Sequence, residues 1–147
     1  MGSMITEDYV SFETAKLLKE KGFSGWCFKC YGVAVLHNGA DISFDEECEL
    51  KDEGRGDEIE YVEGGRLYNY GCSNRDKDAK VWAAPTLWVA MKWLRKVNKI
   101  DTWAEGHNGR YKGHIHSEQR GTEALFYENS YEEACEAAIK YCLENLI

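Results

Sequence analysis

The chain has 147 residues, enough for one domain with a modest core. A hydrophobic content of 44% with 13% aromatics excludes a disordered chain, and no apolar run approaches a membrane-spanning length. Residues 41–63 hold 11 acids and 2 bases, a net −9 against −8 for the whole chain, so the remainder is nearly neutral and this one anionic block repels nucleic acid and attracts basic partners.

Met1-Gly2-Ser3 reads as a cloning remnant before a native start at Met4, and nothing resembles a secretion signal, so a cytoplasmic location is expected. There the six scattered cysteines are expected as free thiols. A first helix is predicted after Ser11 as N-cap, over Phe12–Lys21, with Gly22 as its left-handed stop and Phe23 folding back onto it. Trp26 to His37 is aromatic and β-branched and predicts a strand, closed by an Asn38-Gly39 turn. The acidic segment that follows, broken by Gly54 and Gly56, predicts a loop with a short strand near Ile59 to Val62. Gly64-Gly65 reads as a turn, Arg66 to Tyr70 as a short strand, and Ser73 to Lys80 as polar loop.

Pro85-Thr86 opens a second helix, where Leu87, Ala90, Met91, Leu94 and Val97 recur at helical spacing. Trp88 falls off that stripe, beside Lys92, Arg95 and Lys99. It reads either as an aromatic packed along lysine stems or as an exposed anchor for a partner, a homodimer included. Asn108-Gly109 is the favoured two-residue type I′ hairpin turn. Its register sets His107 opposite Arg110, Glu105 opposite Lys112, Trp103 opposite His114 and Asp101 opposite His116, all on one face because side chains alternate along a strand. Thr102, Ala104, Gly106, Tyr111, Gly113 and Ile115 form the other face, on which helices should pack. A third strand is expected over Thr122 to Tyr127. A last helix starts near Ser130, burying Tyr131, Ala134, Cys135, Ala138, Cys142 and Leu146, with Glu136 and Lys140 at the favourable i, i+4 spacing.

These elements predict an α+β domain over residues 4–147. It has an antiparallel sheet, helices on one face, the order α-β-β-α-β-β-β-α, and an acidic loop-rich insert at 41–63. Three stretches carry a resemblance: Tyr9 to Leu18, Ala84 to Leu87 with Ala90 to Arg95, and Tyr131 to Ala134 with Lys140 to Ile147. Together, at about a fifth of the chain, they resemble small uncharacterised proteins of gut Bacteroides-type bacteria and their phages. The resemblance implies a bacterial or phage accessory protein and brings no catalytic residues.

Candidate chemistry concentrates on the hairpin. His114 and His116 share a face at a spacing that chelates metals, with His107 or Asp101 as a third ligand. A polar sheet surface with an Asp101–His116 cross-strand charge pair is the preferred reading, and neither metal nor cofactor is expected. Cys27-Phe28-Lys29-Cys30 is a lone CxxC whose thiols point to opposite faces if it lies in a strand. A small hydrolase using His114 with Glu105, and Ser117 or a cysteine as nucleophile, ranks last, since no nucleophile elbow, phosphate-binding loop or dinucleotide glycine pattern is present.

The leading expectation is a non-enzymatic binding protein. A small anionic, nucleotide-like ligand would stack on Trp103 and meet Arg110 and Lys112, with Glu105, His114 and His116 beside them. The alternative is a protein-interaction module, or nucleic-acid mimic, that docks on a basic host protein through Asp45, Glu46, Glu47, Asp52 and Glu53, with Trp88 as a second contact. Direct nucleic-acid binding and membrane association are not expected.

Overall fold

The computed structural model describes residues 7–147; Met1-Gly2-Ser3 and Met4 lie outside the described residues. Helix α1 (Phe12–Glu20) begins at Ser11, whose hydroxyl accepts from the Thr14 N–H. It ends as anticipated. Gly22 takes φ +94°, its N–H donates to the Lys19 carbonyl, and the Phe23 N–H donates to that of Leu18, which turns the Phe23 ring into the core.

Strand β1 (Cys30–Leu36) is shorter than the run Trp26 to His37 predicts. The chain bends at Phe28, and Cys27 pairs alone with Cys72 in an isolated antiparallel bridge. The acidic segment is not the loop expected. Ser43 caps a helix, α2 (Phe44–Asp52), and accepts from the Glu46 N–H; three acids in its first turn favour that end of the helix dipole. A 3-10 turn at Gly56–Glu58 leads into strand β2 (Ile59–Tyr68). Gly64 and Gly65 do not end a strand. They take φ +82° and +74° inside β2. The register to β1 jumps there from Gly32↔Arg66 to Ala34↔Tyr61, so the extra residues bulge while β2 keeps the same partner. The two short strands expected from the sequence are therefore one.

A short strand the sequence did not announce, β3 (Val81–Ala83), pairs with β1 on its other side, giving a sheet of order β2-β1-β3. Buried Asn74 holds the preceding loop in place, donating to the Phe23 carbonyl at 2.9 Å and accepting from the Ala83 N–H at 2.8 Å. Helix α3 (Leu87–Val97) is capped by Thr86 and buries Leu87, Ala90, Met91 and Leu94; Val97, expected in that stripe, is exposed.

The hairpin of β4 (Asp101–His107) and β5 (Arg110–Ser117) has the anticipated register at every one of its pairs, with φ positive at both Asn108 and Gly109. Strand β6 (Gly121–Glu128) completes a second sheet, β4-β5-β6. The strands thus divide into two antiparallel three-stranded sheets rather than a single one. Helix α4 (Tyr131–Asn145) covers the inner face of the second sheet. It buries Ala134, Cys135, Ala138 and Cys142 as expected, with Ile139 and Leu143, while Tyr131 is exposed. Lys140 does not pair with Glu136. It donates to Glu13 of α1 at 2.7 Å, and Glu136 accepts from the Ser11 N–H and the Thr14 hydroxyl. The four-residue spacing lost to a neighbouring helix that offered both groups fixed partners.

The main core draws on both sheets. Val10, Leu18, Phe23 and Ala83 from the first half meet Leu94, Ile115, Ile139 and Leu143 from the second. Two smaller clusters lie under the β1–β2 end, one around Cys30, Val35 and Tyr68, the other around Ala34, Ile42 and Ile59. Among the described residues no helix is long and apolar enough to cross a membrane.

Candidate functional site

Helix α4 packs across β4, β5 and β6 on the inner face of this sheet. Gly113 makes that close seating feasible: a Cβ there would lie 2.7 Å from the Ala134 carbonyl oxygen. Alternation then sends Trp103, Glu105, Lys112, His114 and His116 outward.

Trp103 and His114, direct cross-strand partners, stack with centroids 5.3 Å apart and planes 8° from parallel. One face of the indole is therefore covered by the imidazole, and Trp103 remains 37% exposed. His114 Nε2 lies 3.0 Å from Glu105 Oε2, within ion-pair reach, yet no hydrogen bond is aligned to that buried nitrogen. Across β5, the Lys112 ammonium sits 4.6 Å and the Arg110 guanidinium 5.4 Å from the Tyr127 ring centroid. Glu105, Gly106, His107, Lys112, His114 and Tyr127 enclose a cleft of about 340 Å³. The Trp103–His114 stack thus lies on the same face as Arg110 and Lys112, with Tyr127 on the neighbouring strand; Lys112, His114 and Tyr127 line the cleft, while His114 Nε2 is buried beside Glu105.

His116 does not join this group. Its Nδ1 is 2.8 Å from the Thr122 hydroxyl, and it lines a separate recess of about 830 Å³ with Asp101, Arg95 and Arg120. Ser117 lines that same recess and accepts from the Arg120 N–H, away from His114. Among the described residues no group of three His, Cys, Asp or Glu side chains is placed to hold a metal.

Tyr127 was missed by the sequence reading. Its place under Lys112 depends on a register shift between Lys112 and His114 in the β5–β6 pairing, which no turn motif announces. A larger recess, about 870 Å³, lies round the edge of β6 against α4, and Lys112 and Tyr127 line it as well. It is the roomier of the two, but beside Leu125, Phe126 and Ala137 its walls carry three carboxylates, Glu123, Glu128 and Glu144, against two lysines, which suits an anion less.

On the acidic segment, Asp45, Glu46, Asp52 and Glu53 are exposed, the first three on α2 and Glu53 at its C-cap. Glu47 is the correction. It is 4% exposed, and its Oε1 accepts from Lys51 at 2.9 Å and Tyr61 at 3.0 Å, so it braces α2 against β2 and does not face a partner. Trp88 is 66% exposed on α3. The CxxC thiols are not held on opposite faces of one strand, because Cys27 lies before β1 and Cys30 begins it. No family model, curated protein or solved structure matches the chain.

Proposed function

We propose that this chain is a non-enzymatic binding protein that takes a small planar anion of nucleotide type on the outer face of β4, β5 and β6. The observation that carries the reading is the Trp103–His114 stack beside two cations held over Tyr127. Aromatic faces suit a base, and Arg110 with Lys112 suits a phosphate. The half-covered indole and the Tyr127 ring would be the surfaces for stacking. His114 would back the indole, and Glu105, 3.0 Å from the buried His114 Nε2, would hold the imidazole in place or accept from an exocyclic amine. Given the resemblance to proteins of Bacteroides-type bacteria and their phages, sequestering a nucleotide signal in host defence or counter-defence is the role that fits.

Calorimetric titration with adenosine triphosphate, with inorganic triphosphate as control, tests the reading. Trp103→Ala should weaken nucleotide binding at least tenfold, on the order of the 1–3 kcal/mol a base–aromatic stack contributes. Lys112→Ala should weaken both probes and flatten the salt dependence. Equal affinity in both variants would overturn the assignment.

The second reading rests on α2, which presents Asp45, Glu46 and Asp52 on a capped helix, with Glu53 next to them. A basic host protein would meet that surface. Replacing those four acids by Asn or Gln should end capture of such a partner and leave the circular dichroism spectrum unchanged.

A further inference from the structure

Strand β6 is the outer strand of its sheet. It pairs with β5 on one side, and among the described residues no strand pairs with it on the other. The pairing with β5 is regular over residues 121–124, so alternate peptide groups along that stretch point away from the sheet, open to another strand. Beyond Ala124 the register shift sets two residues of β6, Leu125 and Phe126, against Gly113 alone. The bulge re-aims the chain there, and Phe126 projects from it 90% exposed. Residues 124–127 carry no charge and no proline, two of the usual guards of an open edge.

This edge borders the recess of about 870 Å³ between β6 and α4. Helix α4 lies mainly over β4 and β5, which leaves the inner side of β6 to form one wall. Glu123 and Glu128, opposite Ile115 and Tyr111, point to that inner side, and Leu125 packs between them on the main core. Thr122, Ala124 and Tyr127, opposite His116, His114 and Lys112, point outward. The edge strand therefore shows carboxylates on one face and uncharged side chains on the other. From α4, Tyr141 and Glu144 complete the recess. Among the described residues Glu123, Glu128 and Glu144 enter no ion pair. The lysines of the recess are engaged elsewhere, Lys140 with Glu13 at 2.7 Å and Lys112 over the Tyr127 ring at 4.6 Å. Past Ala137 the recess adjoins another of about 400 Å³, where Asp8 and Glu132 join Glu128.

We propose that the open edge of β6 docks an extended basic peptide, which adds a fourth strand to the sheet. Main-chain hydrogen bonds to the edge supply affinity, and the alternation of β6 sets the pattern of the peptide, because neighbours on one face of a sheet interact directly. Lysine or arginine at every second position would turn inward to Glu123 and Glu144, laying its stem along Leu125 and Tyr141. The intervening residues would be apolar and lie outward beside Ala124, with Phe126 covering the end of the strand. A second copy of this chain suits the edge less. Pairing β6 with β6 through a two-fold axis would bring Glu123 and Glu128 of both copies onto the same inner face, like charge against like. Trp103 and the cleft beside it take no part, so the peptide site stands independently of the nucleotide reading.

The test is fluorescence anisotropy of the full chain with a labelled octapeptide of alternating lysine and valine, against a control in which glutamate replaces lysine. Saturable binding of the basic peptide and none of the acidic one is the expected result. Two N-methylated forms, one methylated at every lysine and the other at every valine, then read the backbone. A strand paired along one edge uses only alternate N–H groups, so one form should lose about tenfold or more in affinity while the other binds like the parent. Glu123→Gln combined with Glu128→Gln should weaken binding about fivefold and flatten its salt dependence. Equal affinity of the two methylated forms would reduce the contact to charge alone and overturn the proposal, as would absent binding or binding unchanged in the double variant. A dimer in sedimentation that Phe126→Lys splits would give the edge to a second copy and overturn it too.

Discussion

At the scale of single residues, the sequence was most legible where one side chain has one local job. Asn108-Gly109 set the hairpin register because both positions need positive φ and the side-chain period is two. Ser11, Thr86 and Ser130 cap helices for equally local reasons. Glu47 was not legible as a buried group. Its burial depends on where β2 brings Tyr61, and nothing near Glu47 in sequence reports that. Gly113 is the residue on which the candidate site leans most, since it lets α4 lie against the inner face. Gly113→Ala would drive a methyl into the Ala134 carbonyl, with Ala138 Cβ 3.3 Å away on the same side. We expect a loss of about 1–3 kcal/mol in urea unfolding, the usual cost of overpacking. Ala at Gly39, whose Cβ would meet open space, costs only its strained φ of +83°.

Among elements, the long amphipathic ones were readable and the short or bulged ones were not. α1, α3, α4 and the hairpin follow from period and caps. α2 escaped because its charge density hid a capped helix inside what composition marks as loop. β3 escaped because three residues carry no period, and β2 because two glycines mimic a turn. The α1–α4 junction gives a prediction at this scale. Lys140 bridges to Glu13, and its hydrogen bond, then its charge, hold that carboxyl below the ordinary 4.5. A carboxyl depressed in the folded state adds stability that is complete above 4.5 and vanishes as pH falls through the folded value. Lys140→Met should therefore be less stable than wild type at pH 7, and the gap should close at an acid pH below the depressed folded value of Glu13. Both groups are solvent-exposed, so the gap is small and salt-sensitive. Urea midpoints at the two pH values, at low ionic strength, measure it; a gap that persists in acid would contradict the assignment.

Across the whole molecule, the α+β class was legible and the division into two sheets was not. The long strands of the hairpin sheet follow from local pattern, but which strands share a ladder follows from how α1, α3 and α4 fill one core. The candidate site was legible as a hairpin face and incomplete without Tyr127, which belongs to a third strand in a shifted register. The unequal clusters also order the molecule by local stability. α4 and β5 lie on the main core, whereas α2 and the start of β2 rest only on a small one around Ile42 and Ile59. Native-state hydrogen exchange should show amides of Ile59–Val62 opening well before those of Ile115 and Ile139. Equal protection would mean that the small clusters are as cooperative as the main one.

The shared core has a further consequence for cutting the chain. A break in the turn between β3 and α3 would leave Val10, Leu18, Phe23 and Ala83 on one fragment and Leu94, Ile115, Ile139 and Leu143 on the other. Neither piece can cover its own apolar surface, and each is the complement of the other. The two fragments, produced separately and mixed, should recombine into the intact fold, which makes this small protein a natural candidate for split-reporter complementation.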